Sequence, residues 1–170
     1  MPLIKHRQRV RHDPWKWIAS SDDVLAALPD GGRVIVPLAA WQALREQLLS
    51  RLDAIGVWLR GEDDPATLAA DFAHLELIAV HFGSFTDGRG YSTARLLRER
   101  YGWRGELRAI GDVQRDQLLA LARCGFDAFV LREGRDSDAA LAAFDEFTEA
   151  YQAAVEPPLP LYRRREQAQL

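Results

Sequence analysis

The sequence predicts a single α/β domain built on a five-stranded parallel sheet, and three observations support this prediction. The chain has 170 residues, close to the usual size of one domain and long enough to bury an apolar core. Short β-rich apolar runs alternate with longer helical patterns, which is typical of consecutive strand–helix units. The runs are continuously apolar, as expected for strands that are covered on both faces.

The elements follow each other regularly along the chain. Strands are predicted at 34–36, 55–59, 77–82, 106–110 and 128–131, and helices at 39–52, 65–74, 92–101, 114–123 and 138–153. Right-handed crossovers leave two main arrangements for such a series. We favour an open sheet in the flavodoxin-like order 2-1-3-4-5 with helices on both faces. The alternative is a partial β/α barrel.

The two ends of the chain differ in pattern from residues 33–154, which we assign to the α/β domain. Residues 1–32 are predicted to form an N-terminal arm and a short helix that begins after Ser21-Asp22-Asp23. Basic residues alternate along this arm, and Trp15 and Trp17 are two apart and so point the same way. Residues 155–170 are rich in Pro and Arg and are predicted to be an extended, flexible tail.

Composition excludes several classes of function. The net charge of −3 gives no general affinity for nucleic acid or anionic lipid. Cys124 is the sole cysteine, so an internal disulfide, a paired-thiol redox site, a self-contained iron–sulfur cluster and a cysteine-rich zinc site are all excluded. The four histidines lack metal-ligand spacing, and no metal is expected. No apolar run is long enough to cross a membrane, so we expect a cytoplasmic protein.

Positive charge is concentrated in one part of the chain. Between Gly88 and Arg135 there are ten Arg and six acidic residues, whereas the rest of the chain carries twelve basic and nineteen acidic residues. Arg recognises carboxylate, phosphate or sulfate oxygens through two parallel hydrogen bonds. The concentration therefore points to an anion or an acidic partner, although a coding preference for Arg is the alternative explanation.

The polar loop that follows the third predicted strand is the main candidate site. In the favoured sheet order it lies where the strand order reverses, at the carboxyl edge that binds ligands in open parallel sheets. Together with the next helix start and the loop after the fourth strand, it predicts a small-oxyanion site lined by Thr86, Asp87, Gly88, Arg89, Gly90, Ser92 and Arg115. Asp87 and Asp112 are candidates for acid–base chemistry if the two loops meet.

Structural roles for the same residues remain open alternatives. Asp87-Gly88 is also a turn signal, and Ser92 or Thr93 could cap the helix. Asp87 and Asp112 could equally be held in ion pairs by Arg115 or Arg108. The loop has neither a dinucleotide fingerprint nor a phosphate-binding P-loop, so no cofactor is evident from the sequence.

Several segments together resemble a bacterial family, the domain of unknown function 934. The similarity is carried by residues 85–92 (Phe-Thr-Asp-Gly-Arg-Gly-Tyr-Ser), 95–100 (Arg-Leu-Leu-Arg-Glu-Arg), 105–109, 111–112, 115–117 and 123–129 (Arg-Cys-Gly-Phe-Asp-Ala-Phe). It is specific over residues 77–131. Members are often labelled as oxidoreductases of sulfite reduction, which implies a gene neighbourhood shared with assimilatory sulfite reductase and the reductase of adenylylated sulfate.

The resemblance implies a metabolic context rather than a set of catalytic residues. The leading expectation is an accessory protein of assimilatory sulfate or sulfite reduction that binds sulfite reductase or its electron donor. The alternative is an anion- or nucleotide-binding oxidoreductase that acts on a sulfur oxyanion.

Overall fold

A computed structural model describes residues 1–20, 24–50, 54–132, 134, 137–146, 152–155 and 158–167. The predicted helix start Ser21-Asp22-Asp23 and residues 147–151 of the predicted helix 138–153 lie outside these residues. In the part described, eight strands form one sheet. They are β1 (Leu3–Lys5), β2 (Gln8–Val10), β3 (Trp15–Trp17), β4 (Arg33–Pro37), β5 (Ala54–Leu59), β6 (Leu77–Phe82), β7 (Glu106–Gly111) and β8 (Ala128–Val130).

Helical segments connect the strands. The α-helices are α1 (Val24–Ala27), α2 (Leu38–Leu49), α3 (Arg89–Arg95), α4 (Leu118–Arg123), α5 (Ser137–Ala142) and α6 (Leu161–Gln167). Pro65–His74 is a 3₁₀ helix whose start is capped by the Asp64 carboxylate, and a π-helical turn, Leu96–Arg100, continues α3. The predicted positions of the five strands and of the first four helices are therefore confirmed to within a few residues. The last predicted helix, 138–153, is helical from Ser137 to Asp145, and Gln152 and Ala153 are not helical. The tail is not wholly extended, since α6 forms there, with none of its residues buried.

The order of the strands corrects the favoured prediction. The sheet runs β2-β1-β8-β7-β6-β5-β4-β3, so the five predicted strands, β4 to β8, are neighbours in sequential order rather than in the order 2-1-3-4-5. Strands β3 to β8 are parallel, β1 pairs antiparallel with β8, and β2 pairs antiparallel with β1. The sheet is thus mixed and has eight strands, and the partial barrel is the arrangement that the chain adopts.

The sheet is curled into a half-barrel by the N-terminal segment. Strands β2 and β3 lie at opposite edges of the sheet, yet only residues 11–14 separate them. A link of that length spans at most about 17 Å, whereas eight flat strands would be about 34 Å wide. The two edges must therefore curve toward each other. The Asp13 carboxylate, in this link, lies 2.6 Å from the Arg108 guanidinium of β7.

The helices cover one face of the sheet in the described part of the chain, which corrects the prediction of helices on both faces. The larger buried cluster joins one side of the strands to α2, the 3₁₀ helix, α3, α4 and α5. The smaller cluster contains strand residues alone, namely Ile35, Trp58, Leu77, Ala79 and Ile110, packed against Trp15 and Val130. Right-handed crossovers between strands in sequential order place every helix on the same, convex side. The concave side is filled by the N-terminal segment.

Candidate site at the carboxyl rim

The two predicted polar loops meet at the carboxyl ends of β6 and β7. These strands are adjacent, with His81 opposite Ile110 and Phe82 opposite Gly111. The backbone N–H of Phe85 donates to the Asp112 carboxylate at 3.0 Å, and the Gln117 side-chain amide donates to the Phe85 carbonyl at 3.1 Å. The loop after β6 and the loop after β7 thus form one rim, where parallel β/α barrels place their sites.

Asp87 and Arg89 form an ion pair within the loop after β6, which we call the first loop. The Arg89 guanidinium donates to both carboxylate oxygens of Asp87, at 2.9 and 2.8 Å, and its other terminal nitrogen lies 3.4 Å from Glu62. Hydrogen bonds from Arg89 lower the pKa of Asp87 to about 2. A carboxylate with such a pKa is a weak base near neutral pH, and a guanidinium shared by two carboxylates has little positive charge left for a ligand.

The start of α3 differs from the prediction. The helix begins at Arg89, three residues before the predicted start, so Ser92 and Thr93 lie inside it and neither caps it. In the turn before the helix the Thr86 N–H donates to the Ser84 hydroxyl, and the hydroxyls of Ser84 and Thr86 are hydrogen-bonded at 3.1 Å. Gly88 precedes α3 in a helical backbone conformation, with open space where a Cβ would be. A Cβ on Gly90 would lie 2.5 Å from the Phe82 ring, so this glycine allows α3 to pack closely on β6.

Arg115 is not directed to the first loop. Its guanidinium donates to the Ala139 carbonyl at 2.8 Å and pairs with Glu146, both beyond β8 in the chain. Asp112 instead has Arg132 at 3.4 Å, and Arg108 pairs with Asp13 and Glu106 on the concave side. The structure therefore brings Asp87 and Asp112 to one rim but does not bring Arg89 and Arg115 together.

An aromatic and cationic cluster that was not predicted from the sequence lies at the same rim, on the concave side. Trp58 of β5 stacks on Trp17 of β3 with ring centroids 5.0 Å apart. The centre of the His81 ring lies 5.8 Å from that of Trp58. The Arg60 guanidinium lies 5.6 Å from the centre of the Trp58 ring. Burial, and then the positive charge of Arg60, lower the pKa of His81, so its imidazole is neutral at pH 7.

The sequence indicates that these residues lie together only when the order of the strands in the sheet is known. Alternate residues of a strand share a face, so Leu77, Ala79 and His81 all point to the concave side. Trp58 faces the same side from the neighbouring strand, and Arg60 directly follows that strand. Without the sequential strand order, nothing in the sequence places Trp17 beside them.

A groove in the surface of the protein lies near the amino end of β8, away from the rim. Two adjoining cavities of about 510 and 520 Å³ share His6, Ala122, Phe126 and Asp127. Their remaining lining includes basic and apolar side chains, among them Arg7, Arg104, Arg123, Leu119 and Phe144. We call this surface the basic groove. His6 and Arg7 form the two-residue turn between β1 and β2, both with positive φ, of 50° and 58°.

Arg98 and Asp127 are structural at the edge of this groove. Arg98 donates to the carbonyls of Trp103, Gly105 and Gly125, each at 2.9 Å, and to the Asp127 carboxylate at 2.9 Å. Asp127 also accepts from the Leu107 N–H, yet burial raises its pKa. Four of the five guanidinium N–H groups of Arg98 are used in this way, so it fixes the turn after the π-helical segment to the start of β8.

Neither a metal centre nor an activated thiol is found in the described residues. No group of three His, Cys, Asp or Glu side chains comes together there as metal ligands. Burial raises the pKa of the Cys124 thiol, which disfavours its reactive thiolate form. None of the helices in the described ranges combines the length and apolar character needed to span a bilayer.

The comparison with protein families decides the family. The model for bacterial proteins of unknown function, DUF934, matches residues 56–162, more than half of the chain. The chain belongs to the DUF934 family. A comparison with curated proteins found no match. In this DUF934 protein the match begins at the third residue of β5 and extends through β8, whereas β1 to β4, with Trp17, precede it.

Proposed function

We propose that this DUF934 protein is an accessory protein of assimilatory sulfate or sulfite reduction that binds sulfite reductase or its electron donor. The observation that carries the proposal is membership of the DUF934 family over residues 56–162, together with the sulfite-reduction context of proteins that this sequence resembles. A binding role also agrees with the rim, where Arg89 and Arg115 are each engaged by carboxylates of the same chain.

The basic groove supports contact with an acidic protein segment. Arg104 is exposed and forms no ion pair with any described residue. Burial lowers the pKa of Arg98, and the positive charge of Arg104 acts in the same direction. Arg7 lies over the Phe144 ring at 5.6 Å, and Phe126 and Phe144 add apolar surface to the groove. Cations around an apolar floor suit a segment that combines carboxylates with apolar side chains.

Co-purification from the native host tests the proposed partner. Tagged protein is expected to retain the sulfite reductase haemoprotein or its electron donor at moderate salt and to release it at high salt, because surface charge pairs are screened. The interaction is then measured with purified proteins by calorimetry. If neither purified protein binds and the turnover of sulfite reductase is unchanged, the proposed function is wrong.

Charge reversal distinguishes the groove from the rest of the surface. Arg104→Glu is expected to weaken the interaction about tenfold or more, since it adds a repulsive charge where an attractive one stood. Arg100→Glu makes the same change of charge outside the groove, where Arg100 lies over the Tyr101 ring, and is expected to bind as the unchanged protein does. Equal losses in both variants would contradict docking in the groove.

A further inference from the structure

The aromatic and cationic cluster at the concave rim has the composition of a ligand site. We call it the rim platform and define it as Trp17, Trp58, Arg60 and His81. Trp17, Arg60 and His81 each lie within 6 Å of the Trp58 ring. Trp58 is 5% exposed, whereas Trp17 is 37% exposed and offers its indole to solvent.

The rim platform is held rigidly by the backbone around it. The Trp58 indole N–H donates to the Ile18 carbonyl at 3.0 Å, and the Ile18 N–H donates to the Ile35 carbonyl at 2.9 Å. Trp17 lies in β3, directly opposite Ile35 of β4. A ligand that stacks there would not have to order either tryptophan, which lowers the entropic cost of binding.

Two polar side chains of the rim platform, those of Arg60 and His81, form neither an ion pair nor a side-chain hydrogen bond with the residues that the structure describes. Arg60 is exposed and forms no ion pair with a described residue, in contrast to Arg89, Arg115 and Arg132 at the same end of the sheet. Neither ring nitrogen of His81 is hydrogen-bonded in the described part of the chain, although the side chain is half-buried. A cation and a neutral imidazole are therefore available around the Trp58 ring, on which the exposed Trp17 stacks.

We propose that the rim platform binds a mononucleotide. Its base stacks on the exposed face of Trp17, its phosphate pairs with the Arg60 guanidinium, and His81 hydrogen-bonds to a sugar hydroxyl or to the base edge. Indole faces stack on any base, and guanidinium groups bind phosphate oxygens in pairs. Only a ligand with both a planar ring and an anionic group uses all of these features. The proposal is independent of the proposed partner protein and of the basic groove.

Titration of the intact protein with whole mononucleotides, and with a nucleoside and phosphate separately, tests this inference. Binding of AMP, GMP, UMP, FMN, adenosine and inorganic phosphate is followed by calorimetry and by tryptophan fluorescence. At least one mononucleotide is expected to bind with a Kd below about 1 mM, and adenosine or phosphate alone at least about tenfold more weakly. No binding by any mononucleotide overturns the proposal, and so does phosphate that binds as tightly as the mononucleotide.

Variants locate the ligand on the rim platform. Trp17→Ala and Arg60→Gln are each expected to weaken binding about tenfold, since one removes the stacking face and the other the cation. Trp17→Phe keeps an aromatic face and is expected to retain most of the affinity. Arg89→Gln is the matched control, because Arg89 stands at the same rim but is paired with Asp87. A loss with Arg89→Gln equal to that with Arg60→Gln would overturn the assignment.

Discussion

Arg95 and Arg98 are three residues apart in the helical segment that follows β6, yet their surroundings differ. Arg95 is exposed and pairs with Glu99 one turn later. Arg98 is 10% exposed in its side chain and holds three carbonyls and Asp127. The spacing alone suggests two similar surface residues, and only the packing of the turn against β8 separates them.

Alanine substitutions should reveal this difference. Arg98→Ala removes four hydrogen bonds and leaves Asp127 part-buried without its cation, so we expect a loss of about 3 kcal/mol or more in the free energy of unfolding. Arg95→Ala removes an exposed helix pair and should cost no more than about 0.5 kcal/mol. Urea denaturation followed by circular dichroism measures both. Similar losses would contradict a structural role for Arg98.

The titration of His81 provides a prediction that does not depend on any ligand. Burial, and secondarily Arg60, lower its pKa below 6.5, and Glu62 acts in the opposite direction. NMR titration should therefore show a lower pKa than in a peptide, raised by Arg60→Gln and lowered further by Glu62→Gln. A lowered pKa in the folded state means that this group costs stability as pH falls below 6.5, until pH reaches the folded-state pKa. An unchanged pKa in both variants would place Arg60 away from the imidazole.

Gly111 fixes the geometry of the rim where β7 ends. Its φ is +90°, and a Cβ there would lie 2.3 Å from the Phe82 carbonyl oxygen. The Asp112 N–H donates to that same oxygen at 2.8 Å. A side chain at residue 111 must therefore separate the ends of β6 and β7 and move Asp112 away from the first loop.

Gly111→Ala is expected to destabilise the protein more than Gly102→Ala. Gly102 also has a positive φ, of +72°, but has open space around a Cβ, so its substitution should cost about 1 kcal/mol from backbone conformation alone. The clash at residue 111 adds to that cost and should weaken the hydrogen bond between Phe85 and Asp112. Thermal unfolding and amide exchange of Phe85 measure the two effects, and equal costs would show that the clash is relieved without consequence.

The strands and helices could be predicted from local patterns, whereas the neighbours of each strand could not. Residues 77–82 form a strand in either a doubly wound sheet or a barrel, because the local apolar pattern is the same in both. The two arrangements differ in what covers the second face of the sheet, which is a layer of helices in the doubly wound sheet and the N-terminal segment in this protein. Here Trp15 packs on that face and Asp13 reaches Arg108, which is 3% exposed. Such contacts join residues almost a hundred positions apart and leave no local pattern.

The N-terminal segment is thus part of the barrel and not an arm on its surface. It contributes both edges of the sheet, and its link from β2 to β3 closes the concave side near Arg108. Ile4 is fully buried in the larger core, and Trp15 packs in the smaller one. The match to DUF934 begins only at residue 56. The concave face of the matched strands is nevertheless covered by this N-terminal segment.

Deletion of residues 1–18 tests that dependence at the scale of the whole molecule. The deletion removes β1, β2 and β3 and uncovers Trp58, Ala79 and Arg108, so we expect loss of cooperative unfolding, binding of a hydrophobic dye and aggregation. Removal of the chain from Leu161 onward is the matched control, because no residue of α6 is buried, and should leave the melting temperature nearly unchanged. A monomeric, cooperatively folded protein without residues 1–18 would show that these strands are a dispensable arm, and the half-barrel would then have to be stable with its concave face uncovered.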